Sequence, residues 1–181
     1  MSAGFSQVDE TEVFQGHIIR VAQGTFRAPD GSTFTRDLIR HPGAVAVVPL
    51  LADGRLVLVR QYRAPIDAEL LELPAGIKDA EGEPPLETAR RELIEETGYR
   101  AGRIEPLTRF VNSAGCSNEE MEIFLATDLS FVGASLQGVE EQHMTTELVP
   151  LDDALALIEA GELRDAKSVV GVLLTLRRLG R

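Results

Sequence analysis

Past the largely polar residues 1–12, "FQGHIIRVAQGTFRAPDGSTFTRDLIRH" predicts two strands joined through Asp30-Gly31, a dipeptide that tolerates the positive φ angles of tight hairpin turns. "GAVAVVPLL" and "RLVLVRQYR" flank Asp53-Gly54 in the same way and predict a second hairpin, whose first strand is apolar enough to be central. "AELLELPAG" then leads into a change of period. Over residues 85–97 a helix is expected: Pro84 and Pro85 suit its start, the interior is rich in Ala, Leu, Glu and Arg, and Gly98 suits its stop. At about 100° per residue, Leu86, Ala89 and Leu93 share one stripe, which should face the core.

Beyond the helix, "RIEPLTRFVN" and "EMEIFLATDL" predict strands separated by the loop "SAGCSNE", and "HMTTELVPL" predicts another. Asp152 is expected to N-cap a short helix over "DDALALIEAGE" that ends near Gly161. "AKSVVGVLLTLRRLG" predicts a closing helix with an apolar face and basic residues in its last turn, the favourable end for them. Strands first, then strands mixed with a few helices, argue for an α/β sandwich around a mixed sheet rather than a run of βαβ units.

Length and composition narrow this picture. A chain of 181 residues supports one main domain, and 44% hydrophobic with 26% charged residues is ordinary globular usage. The formal net charge of −11 repels DNA and RNA, so a nucleic-acid polymer is not an expected partner. A small phosphorylated ligand remains compatible where arginines or a divalent cation bridge the two negative partners. The single cysteine, Cys116, excludes an internal disulfide, and the first residues lack a basic start and apolar run; a cytoplasmic location is expected. The longest apolar run, residues 44–52, is far short of the roughly 20 needed to span a bilayer, so no membrane association is expected.

The chemistry concentrates in "RELIEETGY". Glu92, Glu95 and Glu96 stand at i, i+3 and i+4, forming one acidic patch at the edge of the buried stripe. Arg91, four residues before Glu95, can pair with one of these charges within the helix. A divalent cation would offset the rest.

Gly76, Glu83, Arg91, Glu92, Leu93, Glu95, Glu96, Gly98 and Tyr99 together resemble the Nudix box, G-x5-E-x7-R-E-U-x-E-E-x-G-U, with U aliphatic or aromatic. The spacing from Glu83 to Tyr99 fits without adjustment; six residues, rather than five, separate Gly76 from Glu83, and the turn "DAEGE" is the expected place of the extra one. The resemblance implies a Nudix-type α/β/α sandwich over residues 43–181, preceded by an N-terminal antiparallel β-hairpin extension over 1–42. It also implies Mg²⁺ or Mn²⁺, two to three ions, held by Glu92, Glu95, Glu96 and the backbone carbonyl of Ala75. Gly76, Glu83, Arg91 and Gly98 would be structural.

Outside the box, "VRQYR", "LLELPAG" and "SAGCSNEEMEIFLATDL" resemble the ADP-ribose pyrophosphatase branch of that family. This implies hydrolysis of ADP-ribose to AMP and ribose 5-phosphate, or of a closely related nucleoside diphosphate sugar; GDP-mannose, a dinucleotide, or a non-catalytic Nudix-fold binding module are the alternatives. It implies Arg63 on phosphates, Glu72 in the substrate pocket, and a homodimer with contacts through the N-terminal strands. A loop glutamate in "QGVEEQHM" would assist the attacking water: Glu141 is the expected one, with Glu140 nearly as well placed. Two positions depart from the branch, Ala114 where it commonly has proline and Cys116 where an aromatic is frequent.

Overall fold

The computed structural model describes residues 4–80 and 82–181. Glu81, within the segment expected to hold the extra box residue, lies outside the described residues, as do residues 1–3. Two compact units divide the chain: one runs to Gly43 and includes Phe110–Glu120, the other takes Ala44–Arg109 and Met121–Arg181.

In the first unit, β1 (Ser6–Gln15), β2 (Arg20–Arg27) and β3 (Thr33–Arg40) form an antiparallel sheet in that order. The expected hairpin is β2–β3. Its turn closes where the Asp30 carboxylate accepts the Ser32 N–H at 2.9 Å, with Gly31 at φ 87°. The sheet also has a third strand, β1, that the polarity pattern did not predict. β1 is exposed along almost its whole length, so it lacks the in-out alternation by which a half-buried strand is read. Its ladder to β2 and the ion pairs of Glu10 with Arg20 and Arg40 hold it instead. The loop after Val111 is tied to β3 through Ile39 N–H on the Cys116 carbonyl and His41 N–H on Asn118.

In the second unit, β4 (Ala44–Pro49), β7 (Ala75–Ile77), β8 (Tyr99–Val111) and β9 (Glu120–Phe131) make a sheet of order β7-β4-β9-β8. β4 runs parallel to β9 and antiparallel to β7, so the sheet is mixed. A second sheet has the order β10-β5-β6, from β5 (Arg55–Arg63), β6 (Ala68–Glu72) and β10 (Thr145–Pro150). The strands flanking Asp53-Gly54 therefore form as expected, with β4 central, but they do not pair as a hairpin; they meet at a Leu50–Leu56 bridge and then enter different sheets. Both carry continuous apolar runs, every residue of β4 and Leu56–Val59 of β5 being buried. Such runs mark a strand without marking which neighbour it takes.

Alternation along β4 places a helix on each face. Val45 and Val47 pack with Phe124 and Ala126 of β9 and with Ala89 and Leu93 of α1 (Pro85–Thr97). Val48 and Ile123, on the opposite face, approach Gly171 of α3 (Ala166–Arg178) closely. This gives the expected α/β/α layering. α2 (Leu151–Glu159) begins two residues ahead of the expected start: Pro150 occupies the cap position, Asp152 lies within the first turn without a capping bond, and the buried Leu151 is drawn into the helix. Among the described residues no helix is long and apolar enough to cross a membrane.

α1 stops where expected. Gly98 takes φ 75° and donates its N–H to the Ile94 carbonyl at 2.9 Å. A Cβ there would lie 2.7 Å from the Phe131 ring and 2.8 Å from the Ala134 nitrogen, besides holding an L side chain in the left-handed region. Gly98→Ala should accordingly lower unfolding free energy by about 2 kcal/mol or more in urea titration, a loss beyond that of an ordinary surface change.

Candidate active site

β7 and α1 meet through their backbones and carboxylates. The Ala75 N–H donates to Glu96 Oε2 at 3.0 Å, and Gly76 lies so near Glu92 that a Cβ would sit 2.0 Å from its carboxyl carbon. Glycine at 76 leaves room for the Glu92 carboxyl to lie on the backbone, and a side chain there would displace it. The Ala75 carbonyl, the expected backbone ligand, belongs to the same three-residue strand, which is held in register by β4.

Arg91 gathers the other charges. Its guanidinium lies 2.7 Å from Glu92, 3.1 Å from Glu95 and 3.3 Å from Glu83. Glu83 also accepts from the Thr88 hydroxyl at 2.8 Å, and the Arg91 and Thr88 bonds together hold its carboxyl below the usual range.

Burial pushes the Glu92 carboxyl up to about 7; Arg91 opposes this, while Glu95 and Glu141 add to it. Burial likewise pushes Glu96 up to about 8, opposed by the Ala75 N–H and by Lys167, and reinforced by Glu92 and Glu141. The charge of Glu141 therefore reaches both box carboxyls, whereas that of Glu140 acts on Tyr62. Glu141 begins a short 3-10 turn, and its Oε2 accepts the N–H groups of Gln137 at 2.8 Å and Gly138 at 3.2 Å.

Arg63, at the end of β5, forms a two-pronged bond with Glu72, Nε to Oε1 at 2.8 Å and Nη2 to Oε2 at 2.6 Å. Glu72 is buried, and its Oε2 also accepts from Lys167 Nζ at 2.5 Å. Lys167 reaches Asp165 as well, at 3.0 Å. Sequence reasoning missed Lys167, Asp165 and Ser168. The signal was present in "DAKS", an Asp three residues before a Ser at a helix start, which is N-cap spacing.

The donor set suits a hard divalent cation: it is all oxygen, partly dehydrated, and in negative excess, since one arginine serves Glu83, Glu92 and Glu95. Among the described residues, no three acidic, His or Cys side chains converge at ligand distance. Arg91 holds Glu92 and Glu95 to itself, while Glu96 turns to Ala75.

The NUDIX domain family model matches residues 40–170. The chain belongs to the Nudix family. Among its relatives is the ADP-ribose pyrophosphatase of Bacillus subtilis (strain 168), 36% identical over 165 residues, which covers 91% of this chain and 89% of that protein. A protein of Bacillus methanolicus named methanol dehydrogenase activator is 35% identical over 161 residues, 89% of this chain and 86% of that one. The fold matches a solved structure described as an ADP compounds hydrolase with a TM-score of 0.83 at 24% identity, over 98% of this chain and 96% of that one.

Within this Nudix site, the raised carboxyls set a sign for pH. With both carboxyls raised above their ordinary value of 4.5, the folded state holds protons that the unfolded state has lost, so their stabilising contribution is complete below 4.5 and is lost as pH rises through about 7 for Glu92 and about 8 for Glu96. Chelator-treated protein should show a urea midpoint that falls between about pH 5 and pH 8, and Glu96→Gln should flatten that fall. Parallel profiles for the two proteins would remove Glu96 from this account.

Proposed function

We propose that the chain is a metal-dependent Nudix pyrophosphohydrolase that cleaves the diphosphate of ADP-ribose, giving AMP and ribose 5-phosphate, or that of a closely related nucleoside diphosphate sugar. The observation that carries this reading is the joint of β7 and α1, where Glu92 and Glu96 are packed on the Ala75–Gly76 backbone, half or fully out of water, with Glu95 alongside. Carboxylates held so serve a cation better than they serve stability.

Glu92, Glu95, Glu96 and the Ala75 carbonyl would hold Mg²⁺ or Mn²⁺, two to three ions. When bound, such a cation neutralises the diphosphate and lowers the pKa of a water to the range where it attacks phosphorus. Arg91 keeps the glutamates oriented, Arg63 meets phosphate oxygens, and Glu72 holds Arg63. Glu141, whose charge reaches the box, takes the proton of the attacking water once its carboxylate leaves the Gln137 and Gly138 N–H groups. The enzyme would work as a cytoplasmic homodimer. The apolar Val13 and Phe14, exposed on β1, support a contact through the N-terminal strands.

Relatives of Bacillus subtilis (strain 168) and Mycobacterium tuberculosis (strain ATCC 25618 / H37Rv), both named ADP-ribose pyrophosphatase and both 36% identical, support turnover over the regulatory role in the name of the 35% identical Bacillus methanolicus protein. The intact glutamates favour turnover. Glu96→Gln should lower kcat by about 100-fold or more while leaving the thermal unfolding transition in place; near-normal turnover would sink the assignment. Glu141→Gln should slow kcat by about 10- to 100-fold with a similar KM, and an unchanged rate would move the role elsewhere on that loop. Phosphatase-coupled phosphate release from ADP-ribose, GDP-mannose and dinucleotides, with Mg²⁺, Mn²⁺ or chelator, tests the reaction and its substrate together. Metal-dependent release from ADP-ribose above the others is the expected result, and no release from any of them would favour the binding module.

A further inference from the structure

α3 begins against the segment that carries the box backbone. Asp165 caps the helix by accepting the Ser168 N–H at 3.0 Å, and it also accepts the Ser168 hydroxyl at 2.6 Å. With its hydrogen committed to Asp165, the Ser168 oxygen accepts the Leu73 N–H at 2.8 Å. The Pro74 carbonyl then accepts the Val47 N–H at 3.0 Å, and the Ala75 N–H goes to Glu96. Three consecutive residues are thus pinned by three different elements, α3, β4 and α1. One turn along α3, a Cβ on Gly171 would lie 2.6 Å from the Leu73 side chain, so the helix is seated directly on this segment.

Lys167 also donates to the capping Asp165 Oδ2, and it is buried, which costs desolvation that the Asp165–Ser168 cap bonds alone do not require. Its ammonium and Arg63 Nη2 share Glu72 Oε2, at 2.5 and 2.6 Å. Of these side chains, Glu72 is 1% exposed, Lys167 8% and Arg63 39%. The two-pronged bond uses Nε and Nη2 of Arg63. The edge bearing Nη1 is left outside that bond, on the one side chain of the cluster with substantial exposure. Lys167 draws on part of the Glu72 charge and returns part of its own to Asp165, so Arg63 is fixed in plane without being fully neutralised.

We propose that Asp165, Lys167 and Ser168 are positioning residues for diphosphate recognition, which hold the Glu72–Ala75 segment in place and aim the Arg63 guanidinium at an anionic oxygen of the substrate. This rests on the pyrophosphohydrolase reading for its substrate, while its test also has a readout without turnover. Lys167→Met removes the cation at similar length. It should raise KM for ADP-ribose about tenfold with kcat within about twofold, and should weaken inorganic pyrophosphate binding, by calorimetry with Mg²⁺, by about the same factor. In an Arg63→Gln background the same change should add less than about twofold, because the effect passes through Arg63.

A folded Lys167→Met protein with wild-type KM and pyrophosphate affinity overturns the proposal, as does full additivity with Arg63→Gln. If Lys167→Met does not fold, Glu72→Gln/Lys167→Met removes both buried charges together and should show the same tenfold losses; wild-type values there overturn the proposal equally. A wild-type protein that cleaves no nucleotide sugar defeats the pyrophosphohydrolase reading alone, since pyrophosphate affinities still decide this one. Failure of the folded wild type to bind pyrophosphate defeats the positioning role.

Discussion

The bond from the Ala75 N–H to the Glu96 carboxyl joins β7 to α1 beside Gly76 and Glu92. Every other feature of the site is arranged around it. Glycine at 76 lets Glu92 lie on the backbone beside that bond, the ladder from β7 to β4 fixes the strand, and the apolar stripe of Ala89 and Leu93 fixes the helix. An ordinary helix would have turned its acidic edge to water. Here the edge is pressed on a neighbouring backbone, and the resulting desolvation raises both carboxyls.

What the sequence made legible follows from how local each signal is. α1 was readable to the residue because prolines, stripe and stop glycine all lie within one segment, and the box spacing depends on that segment alone. β4 and β5 were readable as strands but not as members of separate sheets, since a run buried on both faces carries no mark of its partner. β1 was missed because it is exposed on both faces and has no alternation to read. The start of α2 was misplaced by two residues because burial of Leu151 outweighed the capping preference of Asp152.

The site divides along the same line. Glu92, Glu95, Glu96, Arg91 and Glu83 could be grouped from spacing; the fold brings Glu83, Glu92 and Glu95 around the Arg91 guanidinium and turns Glu96 to the Ala75 N–H instead. Arg63 and Glu72 could be named only by resemblance, and their mutual two-pronged bond needs the β5–β6 register. Lys167 and Ser168 act across 95 positions of chain, a distance over which no local pattern extends.

That separation also bears on synthesis. The box helix is complete once residue 98 has been made, but the hydroxyl that holds Leu73 belongs to residue 168 and is made later. A nascent chain therefore carries its acidic patch before the support that ties Leu73 to α3 has been made. Domains generally fold as units, and this contact makes the unit whole only when α3 has emerged from the ribosome. Until then the growing polypeptide has the box residues without the Ser168 bond that holds Leu73.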